Sequence, residues 1–192
     1  MAKKTFEEKE KLTEDDVNEK LRSLSSTLQQ EYLENLLKRF VLDQNIKILA
    51  SKRLADLYAR KGLWLNAARI MESAADSSPI FKERKDLYMK TGILYLKALN
   101  YLLATDSFKK ALEAASPLEK AKLQEEINDL YLVEAEELDK KGKMAKAVQI
   151  YERILRTNPD AQKKRKISER LMVLYEKLGK IKDSLEMRDS LK

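Results

Sequence analysis

The sequence predicts an all-α fold, an α-solenoid of about five antiparallel helix hairpins, and three observations carry that prediction. A set of turn, small and aromatic residues recurs: Tyr58, Gly62, Trp64, Ala67, Met71 and Ala74 return as Tyr95, Leu99, Tyr101, Ala104, Phe108 and Ala111. They return again as Leu138, Gly142, Met144, Ala147, Tyr151 and Ile154, and more faintly as Tyr175, Gly179, Ile181, Ser184, Arg188 and Leu191. The copies start 37, 43 and 37 residues apart, a period that marks stacked helical hairpins. Only four Gly and three Pro are present, and the balance leans on Leu, Ala, Lys and Glu, which are good helix formers. Finally, no stretch alternates apolar and polar residues for long enough to suggest a sheet.

The elements follow in order. Residues 1–12 are charged and have little to bury, which predicts a disordered tail. The rest, 13–192, is predicted to be a single solenoid domain. Thr13 starts the first helix, with Asp16 three residues on as a weak capping box. Val17, Leu21 and Leu24 give that helix one apolar stripe, and Ser25-Ser26 ends it. The next helix is expected over about 27–42, where Leu28, Tyr32, Leu33, Leu36, Leu37, Phe40 and Val41 form a wide apolar face. These two helices lack the repeat signature and read as a capping hairpin over 13–43.

The first full repeat, about 44–79, is expected to pair helices over 44–61 and 65–76. Gly62 stands where the chain must enter the left-handed region to turn, and Pro79 lies beyond the second helix, where its missing N–H does no harm. Repeat 80–117 pairs about 80–99 with 101–115 and closes at Ser116-Pro117. Repeat 118–159 holds a long helix over about 118–141, roughly 36 Å at 1.5 Å per residue, and a partner over 145–156 before Asn158-Pro159. The last repeat, 160–192, pairs 161–178 with 181–191. Ala67, Ala104 and Ala147 are placed where the two helices of a hairpin cross most closely, because a large side chain there would splay them. Tyr58, Tyr95 and Tyr175 lie nine residues before the corresponding small residue, on the partner helix, where their rings fill the adjoining groove.

Composition excludes several function classes. The chain has no Cys, so it can form neither disulfides nor thiolate metal sites. It has no His, the usual general base and commonest metal ligand. Its Asp and Glu residues show no metal-loop spacing, so no catalytic residue, metal or cofactor is expected and the protein is read as non-enzymatic. The stretch Met1–Lys11 has no apolar core, unlike a signal peptide, and no run of 18 apolar residues suits a membrane span. A soluble, cytoplasmic protein is the expectation. Net charge is +7 from 39 basic and 32 acidic residues.

The pattern Leu54-Ala55-x-x-Tyr58-x-x-x-Gly62-x-Trp64-x-x-Ala67-x-x-x-Met71-x-x-Ala74, followed by Pro79, resembles a tetratricopeptide repeat. So does the run from Tyr88 through Gly92, Tyr95, Tyr101, Ala104 and Phe108 to Ala111. The third copy matches at Ala135, Gly142, Ala147, Tyr151 and Pro159, and the fourth is degenerate at Ser184 and Arg188. The resemblance covers about residues 48–192. The family's usual period is shorter, about 34 residues. The longer spacing here also leaves room for related superhelices such as the soluble attachment proteins of vesicle fusion. The resemblance implies a right-handed superhelix that acts as a protein-binding scaffold, taking a peptide or helix in a concave groove lined by the first helix of each pair. It does not imply the carboxylate clamp that holds chaperone tails. Lys52 matches that clamp, but Asp56, Lys90 and Val133 do not. In the register one repeat later Lys166 and Arg170 match, while Met89, Ile93 and Val133 do not.

Carried onto this chain, the groove face comprises Lys52, Arg53, Asp56, Arg60, Lys90, Ile93 and Lys97, then Leu132, Val133 and Glu136, then Arg170, Val173 and Lys177. Such a face is basic in its N-terminal half and apolar near its middle, suited to an acidic and apolar peptide or helix. An alternative stays open at this point: a nucleic-acid-associated protein binding phosphate through Lys163, Lys164, Arg165 and Lys166, with Lys82, Arg84 and Lys85 as a lesser run. The chain is further expected to be a monomer, or a homodimer through the last helix, whose Ile181, Leu185 and Leu191 would face a second copy.

Overall fold

A computed structural model describes residues 12–39 and 41–189. Among these residues there are ten α-helices and no strand. The chain divides into two compact units, Met1–Ala114 and Ala115–Lys192. The first holds α1 (Glu14–Ser23), α2 (Ser26–Leu37), α3 (Gln44–Arg60), α4 (Trp64–Ser77), α5 (Phe81–Lys97) and α6 (Tyr101–Ala114). The second holds α7 (Pro117–Lys140), α8 (Met144–Arg156), α9 (Ala161–Lys177) and α10 (Ile181–Asp189). Within each unit the helices pack mainly on their sequence neighbours. That is the arrangement of an α-solenoid built from helix hairpins.

Every repeat hairpin closes through the same main-chain turn. The N–H of Leu63 donates to the carbonyl of Tyr58 at 2.9 Å, and Asn100 donates to Tyr95 at 2.9 Å. Lys143 donates to Leu138 at 2.8 Å and Lys180 to Tyr175 at 2.8 Å. The preceding residue adds the shorter-range bond, Gly62 to Ala59, Leu99 to Leu96, Gly142 to Asp139 and Gly179 to Glu176. This pair of bonds is the Schellman motif, which needs a left-handed residue just past the helix. Gly62, Gly142 and Gly179 supply it with φ of 73°, 73° and 72°. At Leu99 a side chain is held at φ 57°.

The hairpins then interlock small residues with large ones. Ala67, Ala104 and Ala147 are fully buried, and Ser184 takes the same place at 1% exposure. A second small row runs on the opposite helix. Ala55, Gly92 and Ala135 are buried, each at the same sequence distance before Met71, Phe108 and Tyr151 respectively. At Gly92 the Phe108 ring lies so close that a Cβ would stand 2.4 Å from its Cε1 atom. Gly92 is therefore a close-approach glycine inside a helix, chosen for space.

The starts of α1, α3 and α9 are fixed by short polar side chains. Thr13 and Asp16 form a full capping box, with Thr13 N–H donating to Asp16 Oδ2 at 2.8 Å and Asp16 N–H to Thr13 Oγ1 at 3.2 Å. Asp43 caps α3 through Asn45 N–H, and Asp160 caps α9 through Lys163 N–H. Leu12, α1 and α2 pack around α3, where Val17, Leu21, Leu33, Leu36, Ile46, Ala50, Leu54 and Leu57 form a continuous core. Gln29 fixes the turn between α1 and α2 by donating to the carbonyls of Leu21 and Leu24.

The structure corrects several sequence expectations. Helix α2 stops at Leu37 rather than Leu42, and its apolar face is narrower than the pattern suggested: Leu28 is 49% and Val41 92% exposed. Asp43 needs extended backbone to cap α3, which removes the last residues from α2. Ser116-Pro117 does not close α6. It opens α7, with Ser116 and Glu119 as a capping box and Pro117 in the first turn, a position that requires no N–H donor. Helix α5 runs only from Phe81 to Lys97, one residue short at its start and two at its end. The tail expected over 1–12 falls, apart from Leu12, outside the described residues, as do Phe40 and Leu191.

Two substitutions test this packing. Ala is a better helix former than Gly by about 1 kcal/mol, but Gly92→Ala drives a methyl into the Phe108 ring. It is expected to lower stability by about 1–2 kcal/mol net in urea unfolding, and adding Phe108→Leu should offset part of that loss. Leu99→Gly relieves a side chain held in the left-handed region but also gives up a leucine that is about half buried. The two effects are each about 1 kcal/mol and opposed, so the Tm is expected to change by only a few degrees.

Candidate interaction surface

The predicted groove residues lie on first helices of the hairpins: α3 and α5 in the first unit, α7 and α9 in the second. In the second unit they converge. Leu132, Glu136, Arg170 and Val173 line one cleft of about 510 Å³. Tyr151 of α8 and Ile167 of α9 also line it, both almost fully buried. Leu132 and Val173 supply apolar wall, and Val133, outside this cleft, stands 59% exposed on α7.

Charge around the cleft is balanced. Glu136, Asp139 and Glu169 face Lys140, Lys166 and Arg170. Lys166 donates to Glu136 at 2.9 Å and Arg170 to Asp139 at 2.5 Å. The Asp139 carboxylate holds the Arg170 guanidinium above its ordinary pKa. Burial, followed by the fields of Asp139 and Glu136, pushes the Tyr151 phenol up to about 12. Its hydroxyl has no hydrogen-bond partner among the described residues. The tyrosines at the hairpin turns differ: Tyr58, Tyr95 and Tyr175 donate to Glu34, Glu72 and Glu152 at 2.7, 2.7 and 2.8 Å. Those three bonds tie each first helix to the second helix of the hairpin before it. Tyr151 instead offers its hydroxyl to the cleft.

In the first unit the predicted residues separate into two smaller clefts. Lys52 and Lys90 line one of about 320 Å³ with Ile80, Glu83 and Asp86. Arg53 and Arg60 line another of about 400 Å³ with residues of α1 and α2. Several of these charges are already engaged. Lys52 donates to Glu83 at 2.5 Å, and the Lys97 ammonium sits 4.9 Å from the centre of the Trp64 ring. Asp56, Ile93, Lys97, Val133 and Lys177 line none of these three clefts.

The basic run on α9 faces the acids of α7. Lys163 meets Glu125 at 2.8 Å, Asp129 at 2.7 Å and Asp160 at 3.9 Å, and the first two carboxylates raise its pKa. Lys166 takes Glu136, and Arg165 takes Glu169 at 2.9 Å. Lys164 is exposed. With Asp139–Arg170 the contacts to α7 make a row of ion pairs that runs in the same direction along both helices. In the lesser run, Arg84 donates twice to the Ser78 carbonyl. On α10, Ile181 and Leu185 are 55% and 49% exposed.

Sequence reasoning missed Tyr151 and Ile167 as cleft residues, and it missed Asp139 as the partner of Arg170. The near-constant sequence spacing of the Tyr–Glu pairs was a usable signal for the inter-hairpin bonds. The α7–α9 row was not visible, because its pairs join helices far apart in the chain and depend on helix register.

No protein-family model matches this chain, and no curated protein matches it. Among solved structures the chain is similar to BtubC (BKLC) from P. vanneervenii, at 15% identity and a TM-score of 0.40, over 91% of this chain and 75% of that one. It is also similar to MamA of AMB-1, at 16% identity and a TM-score of 0.43, over 91% and 85%. The all-α hairpin fold rests on the chain's own helices, turns and packing.

The Lys52–Glu83 contact makes a pH prediction. The Lys52 ammonium, then the Ser78 hydroxyl, holds the Glu83 carboxyl below its ordinary pKa. A depressed folded pKa contributes stability that is complete above the unfolded value and is lost as pH falls through the folded one. The stability difference between the parent and Glu83→Gln is therefore expected to be constant above about pH 5 and to shrink below about pH 4.3. Urea unfolding at a series of pH values measures it, and a difference that grows on acidification would contradict the assignment.

Proposed function

We propose that this protein is a non-enzymatic interaction scaffold of tetratricopeptide-like hairpins, and that it holds an amphipathic helix or extended segment of another protein. The second-unit cleft is the main docking site. The observation that carries this reading is the convergence of Leu132, Val173 and the unpartnered Tyr151 hydroxyl on one cleft whose flanking Lys166 and Arg170 are already paired. Apolar side chains of a partner gain about 1.5–3 kcal/mol each when fully buried, which makes Leu132 and Val173 the anchors. The Tyr151 hydroxyl adds a donor for a carbonyl or carboxylate of the bound segment. The charges at the rim set orientation and exclude mismatched partners more than they add affinity. A protein partner is favoured over phosphate because Lys163, Arg165 and Lys166 each meet a carboxylate within the chain. The absence of Cys and His supports a binding role over catalysis.

A pull-down from lysate with and without nuclease, read by mass spectrometry, tests this reading. A protein partner that survives nuclease is expected. Leu132→Asp with Val173→Asp is expected to weaken its retention more than tenfold while helicity is unchanged, and Tyr151→Phe should weaken it by a smaller factor. Full retention by the double variant moves the site elsewhere. Loss of every partner to nuclease replaces the protein reading with the phosphate one.

A further inference from the structure

The cleft of about 400 Å³ in the first unit is charged unlike the other two. It is lined by Arg22 of α1 and by Arg53 and Arg60 of α3, with no carboxylate among its lining residues. Leu21, Leu33 and Leu57 form its floor, but they belong to the core between α1, α2 and α3 and are almost fully buried. None of the three guanidinium groups has an ion pair among the described residues. Arg53 donates to the Asn18 side-chain oxygen at 3.3 Å, and Arg60 donates weakly, at 3.4 Å, to the main-chain carbonyl of Asp56. The Asp56 carboxylate, on α3 between the two, pairs with neither. Three exposed arginines without an ion pair thus line one concavity, whereas Lys52, Lys163, Lys166 and Arg170 each meet an acid.

We propose that this cleft is a second, separate docking site that binds an acidic segment of a protein partner through aspartate or glutamate side chains. The guanidinium fork matches a carboxylate with two parallel hydrogen bonds, so arginine suits this task better than lysine. Arg53 and Arg60 are seven residues apart on α3, about 10.5 Å along the axis. An extended segment advances about 3.3 Å per residue, so acids three positions apart span the same distance. Gln29 spends its side-chain N–H groups on the Leu21 and Leu24 carbonyls, which leaves its oxygen as an acceptor for a main-chain N–H of the segment. A peptide is favoured over a nucleic acid because no aromatic ring lines the cleft to stack a base. The site does not depend on the second-unit cleft.

The test uses the full-length protein and fluorescence anisotropy. The probes are a fluorescein-labelled glutamate–leucine hexapeptide with acids three apart, its glutamine–leucine counterpart, and a labelled hexathymidylate. The variant combines Arg22→Gln, Arg53→Gln and Arg60→Gln. It breaks no ion pair and should keep the parent's helicity and melting. A control that removes the same charge elsewhere combines Lys20→Gln, Lys38→Gln and Arg39→Gln. The glutamate peptide is expected to bind the parent and the control alike, to weaken about tenfold or more on the arginine variant, and to weaken with added salt. The glutamine peptide is expected not to bind. Equal binding of the glutamate peptide by parent and arginine variant, or equal loss in the control, overturns the proposal. So does tighter binding of hexathymidylate that depends on the same arginines. Leu132→Asp with Val173→Asp should leave this binding intact, so failure here is distinct from failure of the second-unit cleft.

Discussion

The Schellman turn that ends the first helix of each of the four repeat hairpins is the constraint on which the remaining structure depends. It reverses the chain in a fixed number of residues, so the start of the second helix is set relative to the last turn of the first. The residue whose carbonyl accepts the closing bond is Tyr58, Tyr95, Leu138 or Tyr175. Nine residues later the returning helix presents Ala67, Ala104, Ala147 or Ser184, each almost fully buried. A small side chain there lets the helix axes approach. The second small row, Ala55, Gly92 and Ala135, is matched in turn by Met71, Phe108 and Tyr151. Turn geometry therefore decides which residues must be small, and Gly92 is where that demand is most severe.

The same turn residue also joins neighbouring hairpins. Where it is tyrosine, the main-chain carbonyl closes its own hairpin while the hydroxyl reaches a glutamate on the helix before: Glu34, Glu72 or Glu152. Burial and the carboxylate both oppose ionisation of the phenol, pushing its pKa up, so the hydroxyl remains a donor. Local turn chemistry and longer-range stacking thus share one side chain. Leu138 takes that place in the third copy and can supply only the turn.

Charge is organised differently in the two units, and this shapes what each can bind. In the second, Lys163, Lys166 and Arg170 answer acids on α7, so the adjoining cleft is balanced and its apolar walls and Tyr151 hydroxyl become its distinguishing chemistry. In the first, Lys52 is neutralised by Glu83, but Arg22, Arg53 and Arg60 are left to one cleft. A net positive chain therefore holds one cleft whose charges are balanced and another lined by arginines without ion pairs. The net charge alone distinguishes neither.

The sequence by itself determined the helices, their turns and their inward faces. Those properties are local: glycine is selected by a left-handed φ at Gly62, Gly142 and Gly179, and the helical period selects which side chains are apolar. It misplaced the end of α2 and the role of Ser116-Pro117, because capping by Asp43 and Ser116 competes with helix propensity and apolar pattern over only a few residues. Tertiary structure decided which of the predicted groove residues meet. Leu132, Glu136, Arg170 and Val173 share a cleft, whereas Lys97 turns to Trp64 and Lys52 to Glu83. It also decided that the α9 basic run is opposed by α7 and that Arg22 joins Arg53 and Arg60. Those outcomes depend on the rotation and register of helices far apart in the chain, and no local pattern encodes them.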